Sequence, residues 1–371
     1  MRVAIIHDWL TGMRGGERCL EIFCELFPEA DLYTLLHIPG SVSPIIERMA
    51  IQTSFIQNLP FSKRGYRKYL PLFPMAVESF NLKGYDLILS CSHCIAKGII
   101  PSPDALHISY VLTPMRYAWD MYGEYFGENR NRMIPLFIHY LRIWDVTSSK
   151  RVDHFLCISK HVENRIKKFY RREAEVIHPP VEIKRFKLKD KKENYFLIVS
   201  SFAPYKRIDL AIEAFSRLGY PLKIIGSGPE EKRLRSLARS NVEFLGWVPD
   251  GAVADCYSEC RALIFPGEED FGIVPLEAMA CGKPVIAYGR GGALETILSY
   301  DQRGSAKGDA PTGLFFYEQN VDSLVDAVER FGRIEREFDP LAIRNHTLKW
   351  DTEIFKEKIK KNIVNKMESK C

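Results

Sequence analysis

Apolar positions along this chain fall into short continuous runs, not into strict alternation. RVAIIHDWL (2 to 10) opens the sequence and YFLIVSSF (195 to 202) opens its second half. Each leads through a glycine- or proline-marked turn into an amphipathic stretch, GGERCLEIFCELF after the first and KRIDLAIEAFSRL after the second. Further runs at 31 to 36, 86 to 91, 106 to 112, 154 to 158, 222 to 225, 242 to 245, 262 to 265 and 284 to 287 predict strands with helical patterns between them. Strands that are apolar throughout suit parallel sheets covered on both faces, so the halves predict two α/β units.

Between the halves, HPPVEIKRFKLKDKKEN (178 to 194) joins paired prolines to a charged, apolar-poor stretch and predicts a linker. The expected domains are therefore 1 to 180 and 195 to 345. The tail LKWDTEIFKEKIKKNIV spaces Trp350, Ile354, Ile359 and Ile363 at roughly helical intervals, predicting that 346 to 371 packs as a helix.

At 371 residues the chain exceeds what one core usually supports, and 46% hydrophobic content allows two. A net charge of +5 without extended Lys/Arg tracts argues against a dedicated nucleic-acid binder. No eighteen apolar residues run together, and His7 and Asp8 interrupt the opening run, so neither a spanning helix nor a signal peptide is expected. Nine cysteines, an odd and scattered set, suggest reduced thiols and a cytoplasmic setting. CSHC at 91 to 94 lacks a second Cys-x-x-Cys pair, and no metal site is expected.

The strongest chemical signal is PGEEDFGIVPLEAMACGKP (266 to 284), with Glu269 in a loop and Glu277 on a helix stopped by Gly282 and Pro284. A loop carboxylate can accept bonds from sugar hydroxyls, and one on the helix can bind a ribose diol of the same ligand. Lys206, followed by Arg207, comes after a strand and turn where a cation can meet a diphosphate. No Asp-x-Asp pair is present to hold a metal. Gly15 and Gly16, between the first strand and a helix, can let a phosphate approach the backbone, but HDWLTGMRGGER is not a GxGxxG fingerprint. Asp31 precedes its strand instead of ending it, which argues against nicotinamide binding.

Glu269, Phe271, Gly272, Glu277, Ala278, Gly282, Pro284 and Val285 together resemble the E-x7-E signature of family-4 retaining glycosyltransferases of the GT-B fold. SSFAPYKRIDLAIEAF (200 to 215) resembles that family's phosphate-binding lysine segment, IIGSGP (224 to 229) its Gly-x-Gly-Pro turn, and VEFLGWVPD (242 to 250) the strand and loop near the nucleobase. HDWLTGMRGGER, TPMRYAWDMY and CISKHVENRI extend the likeness over nearly the whole chain. TPMRYAWD is most similar to bacterial mannosyltransferases of O-antigen and exopolysaccharide assembly.

The resemblance implies two Rossmann-like domains facing a cleft, acceptor contacts in the first and donor contacts in the second, and a last helix crossing back to the first. It assigns Glu269 to the transferred sugar, Phe271, Gly272, Ile273 and Val274 to the donor wall, and Glu277 to the ribose. Ser201, Gly226 and Gly228 would lie along the nucleotide, Trp247 and Val248 near the base, and His93, Arg116 and Tyr117 on the acceptor side. Many relatives have arginine near Ser201 and histidine at Leu112. Arg207 would compensate for the first or Lys206 act alone; His93 would fill the second place or be a buried strand-end histidine.

The implied reaction is metal-independent transfer of a hexose, mannose from GDP-mannose, to a lipid-linked saccharide. No cofactor is expected beyond the nucleotide-sugar substrate. Glu269 would stabilise an oxocarbenium-like state in a front-face, retaining step. A UDP-sugar transferase and a non-catalytic partner of the same fold are the rival expectations. FSKRGYRKYLPLF (61 to 73) sets Lys63, Arg64, Arg67 and Lys68 among aromatic and aliphatic residues with no acid, as interfacial segments do. At about 1 kcal/mol per basic group near an anionic leaflet, it predicts peripheral attachment to the inner face of the plasma membrane.

Overall fold

A computed structural model describes residues 1–127, 133–189, 191, 193–302 and 310–369. The chain divides into two compact units, Met1–Pro180 with Glu353–Cys371, and Val181–Thr352.

The first unit is built on strands β1 (Val3–His7), β2 (Asp31–Thr34), β3 (Ala50–Thr53), β4 (Leu87–Ser92), β5 (Leu106–Val111), β6 (His154–Cys157) and β7 (Ala174–Val176). They form one sheet in the order β3-β2-β1-β4-β5-β6-β7. The second unit carries β8 (Phe196–Val199), β9 (Leu222–Ile225), β10 (Val242–Gly246), β11 (Leu263–Phe265), β12 (Val285–Tyr288) and β13 (Gly313–Phe316), ordered β10-β9-β8-β11-β12-β13. Every ladder among the described residues is parallel. The two parallel α/β units expected from the apolar runs are thus present.

β3, β7 and β13 had no predicted counterpart. β3 and β7 are edge strands with mostly exposed or half-exposed residues, so they carry no apolar run. β13, GLFF, is wholly buried and is an apolar run like the predicted strands.

One face of the first sheet, through Ala4, Ile6, Tyr33 and Ile88, shares a core with Tyr66, Phe73 and Val77 and with Ile138, Leu141 and Trp144 of the helix Met133–Ser149. On Tyr110 of β5, Phe23 and Phe355 meet edge to ring, and Phe23 and Phe355 stack at 6.2 Å. Phe355 belongs to the last helix, Thr352–Glu368, which buries Phe355, Ile359 and Ile363 at four-residue spacing. The face expected from Trp350 and Ile354 is therefore rotated: Ile354 is half-buried, and Trp350 lies before the helix in the second unit. Lys356 pairs with Glu25 at 2.8 Å and Asn362 donates to Glu175 at 2.6 Å.

The unit boundary also differs from the expected linker. Val181 N donates to Trp350 O at 2.9 Å, Arg344 donates to the carbonyls of Phe186 and Ala280, and Glu193 N donates to Glu259 O at 2.8 Å. The stretch from 181 onward is tied into the second unit by its backbone; residues 190 and 192 lie outside the described residues.

Candidate functional site

From β8 the second sheet grows through β9 to β10, and from β11 it grows the opposite way through β12 to β13. Loops leaving the carboxyl ends of two such strands diverge and leave a crevice, the usual ligand position in open α/β sheets. Lys206 follows β8 in the 3-10 turn Pro204–Lys206, and Glu269 follows β11. Their side chains meet, Nζ against Oε1, with only 17% and 14% of each exposed.

Local sequence forces this approach. A Cβ on Gly267 would fall 2.9 Å from Lys206 Cα and 3.0 Å from Tyr205 O, so only glycine lets the two loops touch. Gly292 N donates to Glu269 O at 2.8 Å, and Gln319 Nε2 donates to Pro266 O at 3.0 Å. Gln319 Oε1 in turn accepts from Arg207 Nη1 at 3.2 Å. Arg207, expected as a second cation beside Lys206, therefore braces the loop and faces Asp209 at 3.4 Å.

Glu277 is half-buried on the helix Ile273–Ala280, which starts after Gly272 at φ 88°. Tyr257 Oη donates to its Oε2 at 2.8 Å. Burial first, and then the Glu277 charge, raise the Tyr257 phenol well above its ordinary pKa, so it remains a donor. Phe271 is buried, while Ile273 and Val274 are half-buried in the first helical turn.

The remaining donor-side candidates lie on neighbouring loops of the same sheet edge. Ser201 is exposed after β8. Gly226 and Gly228 follow β9, where Phe202 N donates to Ser227 O at 2.9 Å and locks that turn to the β8 loop. Trp247, 78% exposed, and half-buried Val248 follow β10.

In the first unit the equivalent divergence lies between β1 and β4. Asp8, at the end of β1, is fully buried. Its carboxylate accepts from the backbone amides of His93, Cys94, Ile95 and Ala96 at 2.6 to 3.1 Å and faces His93 Nδ1 at 2.9 Å. Burial pushes the Asp8 carboxyl up, but the charge and hydrogen bonds of His93 outweigh it and hold it far below the ordinary range. The same pairing raises His93, against the downward pull of its burial.

Gly15 and Gly16, expected ahead of the helix, are its first two residues (Gly15–Leu26), and Leu112 fills the space beside them, its Cδ1 2.7 Å from where a Cβ on Gly16 would lie. Tyr117 points inward, its hydroxyl 2.9 Å from Cys94 Sγ and its ring against the core, so packing accounts for its position. Arg116, two residues before Ala118, is half-buried. Arg165 pins the same segment through Thr113 Oγ1 at 2.8 Å and the carboxylate of Asp120.

The 61–73 segment divides its residues differently from the expectation. Tyr66 and Phe73 turn into the core, while Lys63, Arg64, Arg67 and Lys68 are exposed around Phe61. Phe61 holds a left-handed backbone (φ 55°) and is 86% exposed.

Among the described residues, no three His, Cys, Asp or Glu side chains stand where they could hold a metal ion. The eight described cysteines are free thiols; Cys371 lies outside the described residues. No described helix is long and apolar enough to cross a membrane.

Tyr257 and Gln319 carried no motif of their own, whereas Asp8 and Arg165 lie within HDWLTGMRGGER and CISKHVENRI without being singled out there.

Residues 181–339 match the family described as Glycosyl transferases group 1. An uncharacterized glycosyltransferase of Methanocaldococcus jannaschii is 32% identical over 282 residues, covering 74% of this chain and 73% of its own. The O-antigen chain mannosyltransferase RfbU of Salmonella typhimurium is 30% identical over 220 residues, 54% of this chain and 60% of its own. Among solved structures, Anabaena HepE in complex with UDP superposes with a TM-score of 0.70 at 15% identity, covering 98% of this chain and 100% of that one. Sucrose-phosphate synthase from Thermosynechococcus elongatus reaches 0.72 at 16% identity, with full coverage of both. These last two likenesses concern the fold, which is the GT-B fold expected from the sequence. With 32% identity to the Methanocaldococcus jannaschii relative over 74% of this chain and 73% of that one, this chain belongs to the group 1 glycosyltransferases.

Proposed function

We propose that this glycosyltransferase moves mannose from GDP-mannose to a lipid-linked saccharide, with retention and without a metal. The observation that carries the reading is the Lys206–Glu269 pair at the crevice between β8 and β11. A cation and a carboxylate held together there can each exchange the other for a donor group, Lys206 for the diphosphate and Glu269 for sugar hydroxyls. Glu277, oriented by Tyr257, would take the ribose diol, and exposed Trp247 would lie against the base.

In the proposed step the bond from the sugar's anomeric carbon to the phosphate oxygen breaks as the acceptor oxygen bonds on the same face. The departing phosphate oxygen receives the acceptor proton. Lys206 balances the charge growing on the diphosphate, and Glu269 stabilises the cationic sugar without bonding to it.

The mannose assignment draws on relatives named as O-antigen chain mannosyltransferases in Salmonella typhimurium and Escherichia coli. Attachment to the inner face of the plasma membrane draws on the exposed basic quartet around Phe61.

Thermal stabilisation by GDP, UDP, ADP, GDP-mannose and UDP-glucose, with and without chelator, tests the reading. A GDP-selective, chelator-insensitive shift that Lys206→Ala weakens is expected. A UDP-selective shift would refute the donor, and loss of the shift with chelator would refute the metal-free step.

A further inference from the structure

We infer that the helix Met133–Ser149 forms a second bilayer contact of the first unit, beside the 61–73 segment, with an anionic lipid surface as its partner. The inference rests on the membrane attachment proposed above and extends it to an element that carries no basic motif.

Met133, Leu136, Tyr140 and Ile143 are 65, 62, 49 and 56% exposed. Their spacing of three, four and three residues draws one stripe along the helix. The other exposed positions are Pro135, His139 and Thr147, so the outer side of this 17-residue helix shows no Lys, Arg, Asp or Glu. The helix Val321–Ile334 in the other unit illustrates the usual pattern, exposing Asp322, Asp326, Glu329 and Arg333. Single exposed apolar residues need no explanation, but a contiguous stripe free of charge marks a contact surface.

Packing indicates the partner. The helix buries Ile138, Leu141 and Trp144 in the same core that buries Tyr66, Phe73 and Val77. Both elements therefore cover one face of the first sheet, and their outer sides look away from it. The second element contributes Phe61, Met75 (57% exposed) and the four exposed cations Lys63, Arg64, Arg67 and Lys68. Apolar side chains flanked by cations complement an anionic leaflet, where acyl chains take the former and headgroups the latter. Lys150, exposed directly after the helix, extends the same charge pattern.

The test is co-sedimentation of the full chain with phosphatidylcholine vesicles containing phosphatidylglycerol. Three proteins are compared: wild type, Leu136→Glu/Ile143→Glu, and a variant with Lys63, Arg64, Arg67 and Lys68 all changed to Ser. Leu136→Ser/Ile143→Ser serves as second stripe variant, and circular dichroism melting checks each fold. We expect wild type to bind and each stripe variant to lose at least tenfold in vesicle affinity, with the nucleotide-induced thermal shift unchanged. Wild-type affinity in the stripe variants, with loss only in the basic variant, would overturn this inference and leave the 61–73 contact standing. Failure of wild type to bind would overturn both membrane contacts without touching the transferase reading, which the nucleotide shift reports separately. A wild-type dimer that the stripe variants dissociate would assign the stripe to a second copy of the chain and likewise overturn the inference.

Discussion

Because Lys206 contacts Glu269 directly, the carboxylate competes with any phosphate for the lysine. Glu269→Gln should therefore separate binding from turnover. With side chains only 17% and 14% exposed, the pair is shielded enough for a charged hydrogen bond to contribute about 1.5 to 3 kcal/mol. A neutral amide in its place still accepts from the charged lysine but loses the attraction between opposite charges, a difference of roughly 1 kcal/mol. A phosphate displacing the lysine's partner then gives up roughly 1 kcal/mol less in the variant, which corresponds to about fivefold tighter GDP binding. Turnover moves the opposite way. Losing one group that stabilises charge only in the transition state typically costs about 10²- to 10³-fold in kcat. Isothermal titration of GDP and single-turnover transfer, both in chelator, measure the two effects on folded protein. Weaker GDP binding in Glu269→Gln would refute the competition, and unchanged turnover would refute the role given to the carboxylate.

Gln319→Leu removes the brace between Arg207 and Pro266 O, and it should lower kcat about tenfold with little change in donor KM; Gln319→Asn, with the same groups on a shorter arm, should recover part of the rate. Gly267→Ala should destabilise the second unit by about 1 to 3 kcal/mol in urea unfolding, because its Cβ would fall 2.9 Å from Lys206 Cα. His107 is fully buried, with Nδ1–H directed at Arg151 O and Nε2 accepting from Ser90 Oγ, and burial lowers its pKa to about 4 despite the nearby Asp153 charge. Its contribution is present above the ordinary histidine pKa and is lost as pH falls from about 6.5 toward 4, with a slope of up to about 1.4 kcal/mol per pH unit. Urea unfolding between pH 7 and 5 should show that slope in wild type and a shallower one in His107→Gln.

The central strands were legible because burial on both faces leaves an uninterrupted apolar run, as in VAIIH and FLIV. The edge strands of the first sheet were not, since AIQT and AEV face solvent and look like any loop. Glu269, Glu277 and Lys206 stood out by their turns and spacing. Their supports did not, because Tyr257, Gln319 and Gly292 reach the site from other segments and only the fold adds them. Arg207 shows the limit of reading adjacency: next to Lys206 in sequence, it takes the left-handed turn that starts a helix and points elsewhere. In the tail, a 3.6-residue period fits a face through Ile354 nearly as well as one through Phe355. The ring stack with Phe23 and Tyr110 selects the latter.

The return of Phe355, Ile359 and Ile363 to the first sheet makes the second unit an uninterrupted stretch inserted in the first. During synthesis, Phe23 and Tyr110 emerge early and wait for their cover until the whole of Val181–Thr352 has followed. At roughly 5 to 20 residues per second, that delay is on the order of ten seconds or more. The unit that begins first is thus completed last, and its unfinished apolar face is where a chaperone would be needed while the ribosome is still translating.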